Sequence, residues 1–435
     1  MRIDEKFQKV TRTEKIIQFG EGGFLRGFVD WMVQKLNHSG SWEGSVVVVQ
    51  PIAQGMCDML TAQNGMYTHI IRGVEGVEEQ VVDVISRCVK PYEDYESYLA
   101  LADDPNFRFI VSNTTEAGIA FRKEDCLSDA PPVSFPAKLT QLLYRRYQKN
   151  LPGFVLLPCE LIDRNGDKLK ETVLQYAKLW ELGADFAKWI ETENHFCCTL
   201  VDRINTGYPK DDLPTLGYED NLINTSEYFH LWVIEGPAAL AEELPFHKIG
   251  LNVIWTDELE RYRTRKVRIL NGAHTSTVAF ALLSGVPTVR EAMENETLNA
   301  HIRQCVFEEI IPTLTLSHEE LTSYAQDVLQ RFHNPHIRHF WADISLNSVS
   351  KFKVRVLPSL VAYYEKFGKL PQGLCKAFGC LIRFYKEGTP RDDAQIIADM
   401  KVLSVKEILA RTDWWDMDCS FAYEGVKDYA SESER

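Results

Sequence analysis

Lys15-Ile-Ile-Gln-Phe19 is an apolar run of strand length that passes directly into Gly20-Glu-Gly22-Gly23. It continues into Phe24-Leu25-Arg26-Gly27-Phe28-Val29-Asp30-Trp31-Met32-Val33, whose apolar residues recur at helical spacing. Few folds accommodate strand, glycine turn and helix in immediate succession. Glycines are needed there because the chain turns tightly and a diphosphate must reach the backbone with no side chain in the way. Its charge is then held by amides at the positive end of the helix. Gly20, Gly22 and Gly23 are therefore candidates for holding a dinucleotide, and the alternative is a turn that binds nothing. The spacing departs from G-x-G-x-x-G, whose third glycine would fall at Leu25; the next glycine here is Gly27.

A second apolar run, Ser45-Val-Val-Val-Val49, ends at Gln50-Pro51, where a dinucleotide fold carries the acidic residue that grips the adenosine ribose. Neither an acid nor a base stands at that tip. A 2′-phosphate then lacks a partner, and the unphosphorylated cofactor, NAD, is expected. A third run, Phe107-Arg-Phe-Ile-Val111, leads into Ser112-Asn113-Thr114-Thr115-Glu116-Ala117-Gly118. Polar groups at the carboxyl edge of a parallel sheet can hydrogen-bond a ribose, and Asn113, Thr114 and Thr115 can equally cap a following helix.

Further along, Lys266-Val-Arg-Ile-Leu-Asn271-Gly-Ala-His274-Thr sets an amine, an amide and an imidazole on one helix. At about 100° per residue Asn271 and His274 lie about 60° apart, with Lys266 about 140° from the first and about 80° from the second. One face gathers all three. A lysine removed from water loses solvation, its pKa falls toward neutrality, and its amine can then take a proton from an alcohol or return one to a ketone. The competing reading is a solvated basic face, since Arg261, Arg263, Arg265 and Arg268 surround Lys266.

Length and composition bound the rest. A chain of 435 residues exceeds one ordinary core and implies two domains, and 45% hydrophobic with 25% charged residues is ordinary globular composition. Strands alternate with helices to about residue 210. Asp211 to Asp220 reads as a connection, and Phe229-His-Leu-Trp-Val-Ile234 as another strand. Beyond Lys266 the pattern is helical, with apolar periodicity over Glu319 to Phe332, Leu357 to Phe367 and Leu374 to Tyr385. The expected architecture is α/β: a Rossmann-like domain with a mostly parallel sheet over residues 1–250 and a mostly α-helical domain over 251–435. The 10 cysteines are scattered, no signal-like segment follows Met1, and no apolar run reaches the ~20 residues of a membrane helix. A reduced, cytoplasmic protein is expected, with no membrane or nucleic-acid partner and an oligomeric state left open.

The glycine turn with Phe24 and Arg26, the segment Val201-Asp202-Arg203-Ile204, and Lys266 through His274 together resemble the mannitol dehydrogenase family of polyol-specific long-chain dehydrogenases. Longer phrases are similar to the branch of that family acting on hexuronates, the tagaturonate reductases: Ile17-Gln-Phe-Gly-Glu-Gly, Ser112-Asn-Thr-Thr-Glu-Ala-Gly-Ile, Pro158-Cys-Glu-Leu-Ile-Asp, Thr206-Gly-Tyr-Pro and Ile269-Leu-Asn-Gly-Ala-His-Thr. The resemblance implies a metal-independent, NAD-linked interconversion of a keto-uronate and its hydroxy acid. Fructuronate reductase and mannitol-type polyol dehydrogenase activities are the alternatives, and a nucleotide-binding sensor without catalysis is the reading from another class. It also implies Lys266 as acid/base, Asn271 and His274 as groups that orient the reacting oxygen, and Phe24, Arg26 and Glu116 beside the cofactor. Asp202 matches a family active-site acid, against a structural Asp-Arg pair. One departure is Cys159-Glu160-Leu161, where mannitol dehydrogenases proper carry an asparagine that can bind substrate. Leucine at that position argues against a simple polyol.

A uronate brings a carboxylate, which wants Arg or Lys. With 48 basic against 62 acidic residues the chain carries −14 and repels an anion at long range. Attraction must be local. Arg268, Lys351, Lys353 and Arg355 are the candidates, with Lys351 favoured by resemblance. The run Arg331-Phe-His333-Asn-Pro-His336-Ile-Arg338-His339 spaces three imidazoles three residues apart, but Pro335 interrupts it and no Asp, Glu or Cys lies within it to complete a coordination sphere, so no metal is expected.

Overall fold

The computed structural model describes residues 1–115, 117–210 and 212–431 and divides into two compact units, Met1–Leu259 and Glu260–Arg435. Thirteen strands occur among the described residues: β1 (Glu14–Phe19), β2 (Ser45–Val49), β3 (Tyr67–Gly73), β4 (Gly76–Val82), β5 (Ile85–Val89), β6 (Phe109–Ser112), β7 (Val155–Pro158), β8 (His195–Phe196), β9 (Cys198–Asp202), β10 (Asn205–Gly207), β11 (Asn224–Ser226), β12 (Leu231–Glu235) and β13 (Val253–Thr256). All lie in the first unit.

Six of them form a parallel sheet in the order β5-β2-β1-β6-β7-β8. Parallel strands covered on both faces must be apolar on both, which is why these runs do not alternate with polar residues. Ile16, Val46, Val48, Phe109 and Val111 enter one hydrophobic cluster, while Ile17, Val47, Val49, Ile110 and Leu156 enter another. The strand order reverses direction between β1 and β6. At such a switch point the connections leave to opposite faces and open a crevice beyond the carboxyl ends of the strands. Gly20 through Gly23 follow β1 there, and Asn113 through Thr115 follow β6.

Two smaller sheets complete the unit: β10-β11-β3-β4, and β13-β12-β9 with β9 antiparallel to β12. The strand expected over 229–234 is β12, which starts two residues later and ends one later. The short strands β10 and β11 have no signature because they are Asn-Thr-Gly and Asn-Thr-Ser, joined by side-chain hydrogen bonds instead of marked by apolar alternation, and only β11 is buried. Residues 251–259 stay with the first unit, where β13 pairs in parallel with β12, and the division between the two units falls at Leu259.

The second unit is helical, with Gly272–Leu283 packed against Gln372–Glu387. The periodic segments read from the sequence appear as His318–Phe332, Leu357–Phe367 and Gln372–Glu387. Ser317 caps the first by accepting from the Glu320 amide, and Gly368 ends the second in the left-handed region at φ 65°. No helix among the described residues is long and apolar enough to cross a membrane.

Gly23 and Gly27, one turn apart, share a face of the helix that follows β1. A Cβ on Gly23 would come within 2.7 Å of Asn205 and 2.9 Å of Asn224; one on Gly27 would come within 2.6 Å of Asn224, 2.7 Å of Asn205 and 2.9 Å of His69. Neither asparagine can retreat freely, since Asn205 Nδ2 donates to Asn224 Oδ1 and Asn224 Nδ2 donates to the Gly23 carbonyl. The close packing that the missing third glycine would serve is thus supplied by Gly27, against the small sheet. Gly27→Ala should lower stability by about 1–3 kcal/mol through overpacking. Thermal denaturation beside Gly22→Ala, an exposed position at φ −65° where a Cβ meets nothing within 4 Å, tests this; equal midpoints would show that the Asn205–Asn224 pair yields.

Candidate active site

At the carboxyl end of β1, Gly20 adopts φ 119°, a conformation costly for any other residue, and its amide donates to the Val49 carbonyl at 3.1 Å. From below, Gln18 Nε2 donates to the Gly20 carbonyl at 3.1 Å and to Asp30 at 3.3 Å. Gly22 stands open: a Cβ there would meet nothing within 4 Å, and no side chain caps the helix that begins at Gly23. The first amides of that helix, which continues through a π-turn at Arg26–Asp30 to His38, are free to receive an anion. The residues present therefore fit a dinucleotide diphosphate.

Arg26 does not present itself to that anion. Its guanidinium is buried and donates to the Glu21 carbonyl at 3.1 Å and the Leu222 carbonyl at 2.7 Å, so it holds the turn from behind. Phe24 is also packing: it stacks on Phe28 with centroids 5.0 Å apart. At the β2 tip Gln50 is turned inward, its Oε1 accepting from Cys57 N and its Nε2 donating to the carbonyls of Ile52 and Ala53. Glu21 accepts from the Met56 amide in the same loop.

At the β6 tip the polar side chains bond to the end of the neighbouring strand. Glu160 at the end of β7 reaches across to it, one carboxylate oxygen accepting from Ser112 Oγ and the other from the amide and hydroxyl of Thr114, all at 3.0 Å. Asn113 Nδ2 donates to the Cys159 carbonyl at 2.8 Å. The side chains of Asn113 and Thr114 thus take part in a clamp between neighbouring strand ends, and among the described residues no helix starts between Ser112 and Phe135 for them to cap. Thr115 in the same loop stands at φ 90°. Glu116 lies outside the described residues. Burial raises the Glu160 pKa, and its hydrogen bonds to Thr114 and Ser112 oppose the rise. The clue to this role in the sequence is the place of Glu160 just beyond an apolar strand. Leu161 beside it is 65% exposed.

Asp202 closes β9 opposite Leu231 and is buried. Its neighbour Arg203 lies over the Trp31 ring and spends its guanidinium on the carbonyls of Glu227 and Gly27. Burial lowers its pKa to about 9.

In the second unit the helix carrying Lys266, Asn271 and His274 is wound as a π-helix over Lys266–Asn271 and as an α-helix over Gly272–Leu283. This corrects the angular estimate. With i→i+5 closure, residues five apart stand roughly one turn above each other, so Lys266 and Asn271 share a side more closely than the α-helical wheel allows. Ile269 and Leu270 bury the opposite side. Lys266 and Asn271 are half-buried.

His274 occupies an aromatic slot. Its ring stacks on Phe332 at 4.3 Å and meets His339 at 5.0 Å and Trp341 at 6.1 Å edge-on. The histidine-rich run is therefore a wall of this slot, and among the described residues no group of three His, Cys, Asp or Glu is placed to hold a metal ion. The sequence does not single out Phe332 or Trp341, because each reads as one more core aromatic. His274 Nε2 is buried with no hydrogen-bond partner. Arg268 is half-buried, and its Nη1 also lacks one. Lys351, by contrast, donates to the Ile344 carbonyl at 2.9 Å.

Burial, reinforced by the charges of His339, Arg331 and Arg355, holds His274 well below its ordinary pKa of 6.5, so the folded imidazole is neutral. An unfolded histidine takes a proton near that value and the folded one does not. Its contribution to stability is therefore full above pH 6.5 and is lost as pH falls toward the depressed value. His274→Phe preserves a ring in the slot and removes the titration. Its unfolding free energy should fall less steeply than that of the parent chain from about pH 6.5 downward, the slopes differing by up to about 1.4 kcal/mol per pH unit. Denaturant titrations at several pH values measure this, and parallel slopes would count against a buried neutral imidazole.

Comparison with known proteins agrees with this arrangement. The mannitol dehydrogenase Rossmann domain matches residues 14–248 and the mannitol dehydrogenase C-terminal domain matches 258–415. An altronate oxidoreductase of Pectobacterium atrosepticum is 49% identical over 386 residues, 86% of this chain and 79% of the relative. One of Phocaeicola vulgatus is 47% identical over 407 residues, 90% of this chain and 85% of the relative. Among solved structures, substrate-free D-sorbitol dehydrogenase superposes with TM-score 0.82 at 22% identity, covering 96% of this chain and 93% of its own. The Pseudomonas fluorescens mannitol 2-dehydrogenase complex with NAD and D-mannitol superposes with TM-score 0.69 at 21% identity, covering 96% and 91%. With both family domains matched in order across most of its length, the chain belongs to the mannitol dehydrogenase family.

Proposed function

We propose that this chain is an NAD-linked oxidoreductase that interconverts D-altronate and D-tagaturonate by metal-independent hydride transfer. The observation that carries the reading is the 47–49% identity, over 86–90% of the chain, to relatives named altronate oxidoreductase. The local chemistry supports it. NAD, when bound, supplies or accepts the hydride. The open Gly22 turn and its free helix amides hold the diphosphate, and the inward-facing Gln50 leaves the β2 tip without a base for a 2′-phosphate.

In reduction, negative charge builds on the keto oxygen. Lys266 delivers the proton that completes the secondary alcohol, and in oxidation the same amine takes it away. Asn271 and His274 donate to that oxygen and favour the charge-bearing transition state over the ground state. A neutral imidazole suits this role, because it can orient an oxygen without competing with Lys266 as the proton source. The rings of Phe332, His339 and Trp341 fix its orientation. The balance is simple: ketone, hydride and one proton give alcohol.

Lys266→Ala should reduce turnover by about 100-fold or more while NADH binding, followed by fluorescence, stays close to that of the parent chain. Turnover near the parent level would remove Lys266 as acid/base. A panel of keto-uronates and ketohexoses assayed with NADH and with NADPH should show tagaturonate and NADH preferred. Preference for fructose over every uronate would transfer the chain to the polyol branch of the family.

A further inference from the structure

The acidic substrate of this reading carries its carboxylate at one end of a six-carbon chain, remote from the keto carbon next to the other end. A protein of net charge −14 must provide a discrete cation for it. Four basic side chains were candidates, and the second unit separates them by what each already holds. Lys353 is paired with Asp416 at 3.0 Å. Lys351 Nζ donates to the Ile344 carbonyl at 2.9 Å. Arg268 and Arg355 remain, both half-buried, and neither has an ion pair or side-chain hydrogen bond among the described residues.

Position distinguishes these two. Arg355 is the last residue of the helix Ser348–Arg355, one turn beyond Lys351. That helix end abuts the site helix so closely that a Cβ on Gly272 would lie 3.3 Å from the Arg355 carbonyl. Gly272 stands between Asn271 and His274. The Arg355 charge acts on both the His274 ring and the Lys351 amine. Burial of the guanidinium without a counter-ion disfavours its charged form and depresses it. The bland reading is a cation placed to complement its own helix C-terminus. That role is best filled at the solvent edge and gives no reason for partial burial beside a buried imidazole.

We propose that Arg355 grips the carboxylate end of the substrate and is the residue that selects sugar acids over neutral sugars. The planar fork of arginine matches two carboxylate oxygens at once, which a lysine ammonium cannot do. Lys351, fixed on a backbone carbonyl one turn earlier, adds positive potential without direct contact. This assignment rests on the proposed uronate chemistry and adds to it the group that recognises the acid.

The test uses Arg355→Met and Arg355→Lys in the full chain, with Arg268→Met as comparator. Steady-state kinetics are measured with tagaturonate and with fructose as the uncharged ketone, and NADH affinity serves as a check of folding. Arg355→Met should raise KM for tagaturonate about 10- to 100-fold, the size expected for a lost charge-assisted pair. It should change kcat much less and leave fructose turnover close to the parent level, so that the acid-to-neutral preference collapses. Arg355→Lys should recover part of that preference. An equal loss on both substrates would make Arg355 a structural residue, and an unchanged preference would move the role elsewhere; either outcome overturns the proposal. Should Arg355→Met fail to bind NADH, the lysine variant decides, because a bidentate contact predicts a raised KM for the acid alone. A parent chain that itself prefers fructose would defeat the uronate reading, whatever the variants do.

Discussion

A parallel sheet buried on both faces has no place along its strands for polar chemistry, so the chemistry is forced to the strand ends. This constraint governs the first unit. Ile16 and Ile17, or Val46 and Val47, point into opposite hydrophobic clusters, and every backbone polar group between them is consumed by neighbouring strands. Only beyond Phe19 and Ser112, at the reversal of strand order, does the backbone become available. There the chain needs glycine for two distinct physical reasons. Gly20 is required by its dihedral angles, and Gly27 by the asparagines packed against it.

The same edge is stiffened by buried polar groups that face the interior. Glu160 ties the ends of β6 and β7 together, Gln50 and Glu21 hold the loop that opens the helix Cys57–Ala62, and Arg26 and Arg203 spend their guanidinium groups on carbonyls. A polar group left unpaired in such surroundings is costly, and pairing these side chains with the backbone fixes the loops of the proposed cofactor site. Residues that look like ligand contacts in sequence are in several cases the supports of those contacts.

In the second unit, desolvation shapes the chemistry. His274 is kept neutral by burial among aromatic rings, and Arg268 and Arg355 sit partly out of water with no ion pair among the described residues. A protein tolerates such an arrangement where a ligand completes it. The π-winding over Lys266–Asn271 serves the same end, because it brings the lysine and the asparagine to one side at the expense of regular helix geometry.

Much of this was legible in the linear chain. The run from Lys15 to Val33 required a glycine turn at the end of a buried strand, because apolar residues without alternation followed by two adjacent glycines have few other uses. The periodic segments near 319, 357 and 374 required helices for the same reason of spacing, and Lys266, Asn271 and His274 announced a shared helix face. The sequence could not show the strands Asn205–Gly207 and Asn224–Ser226, which are polar and are joined by hydrogen bonds between their side chains, Asn205 to Asn224 and Thr206 to Thr225. Nor could it show that Arg26, Asn113 and Thr114 are already occupied, or that Lys351 is committed while Arg355 is not. Period and composition are local properties and determine where strands, turns and helices can form. Whether a given polar atom is satisfied or left for a ligand depends on which distant segment lies against it, and only the tertiary structure decides that.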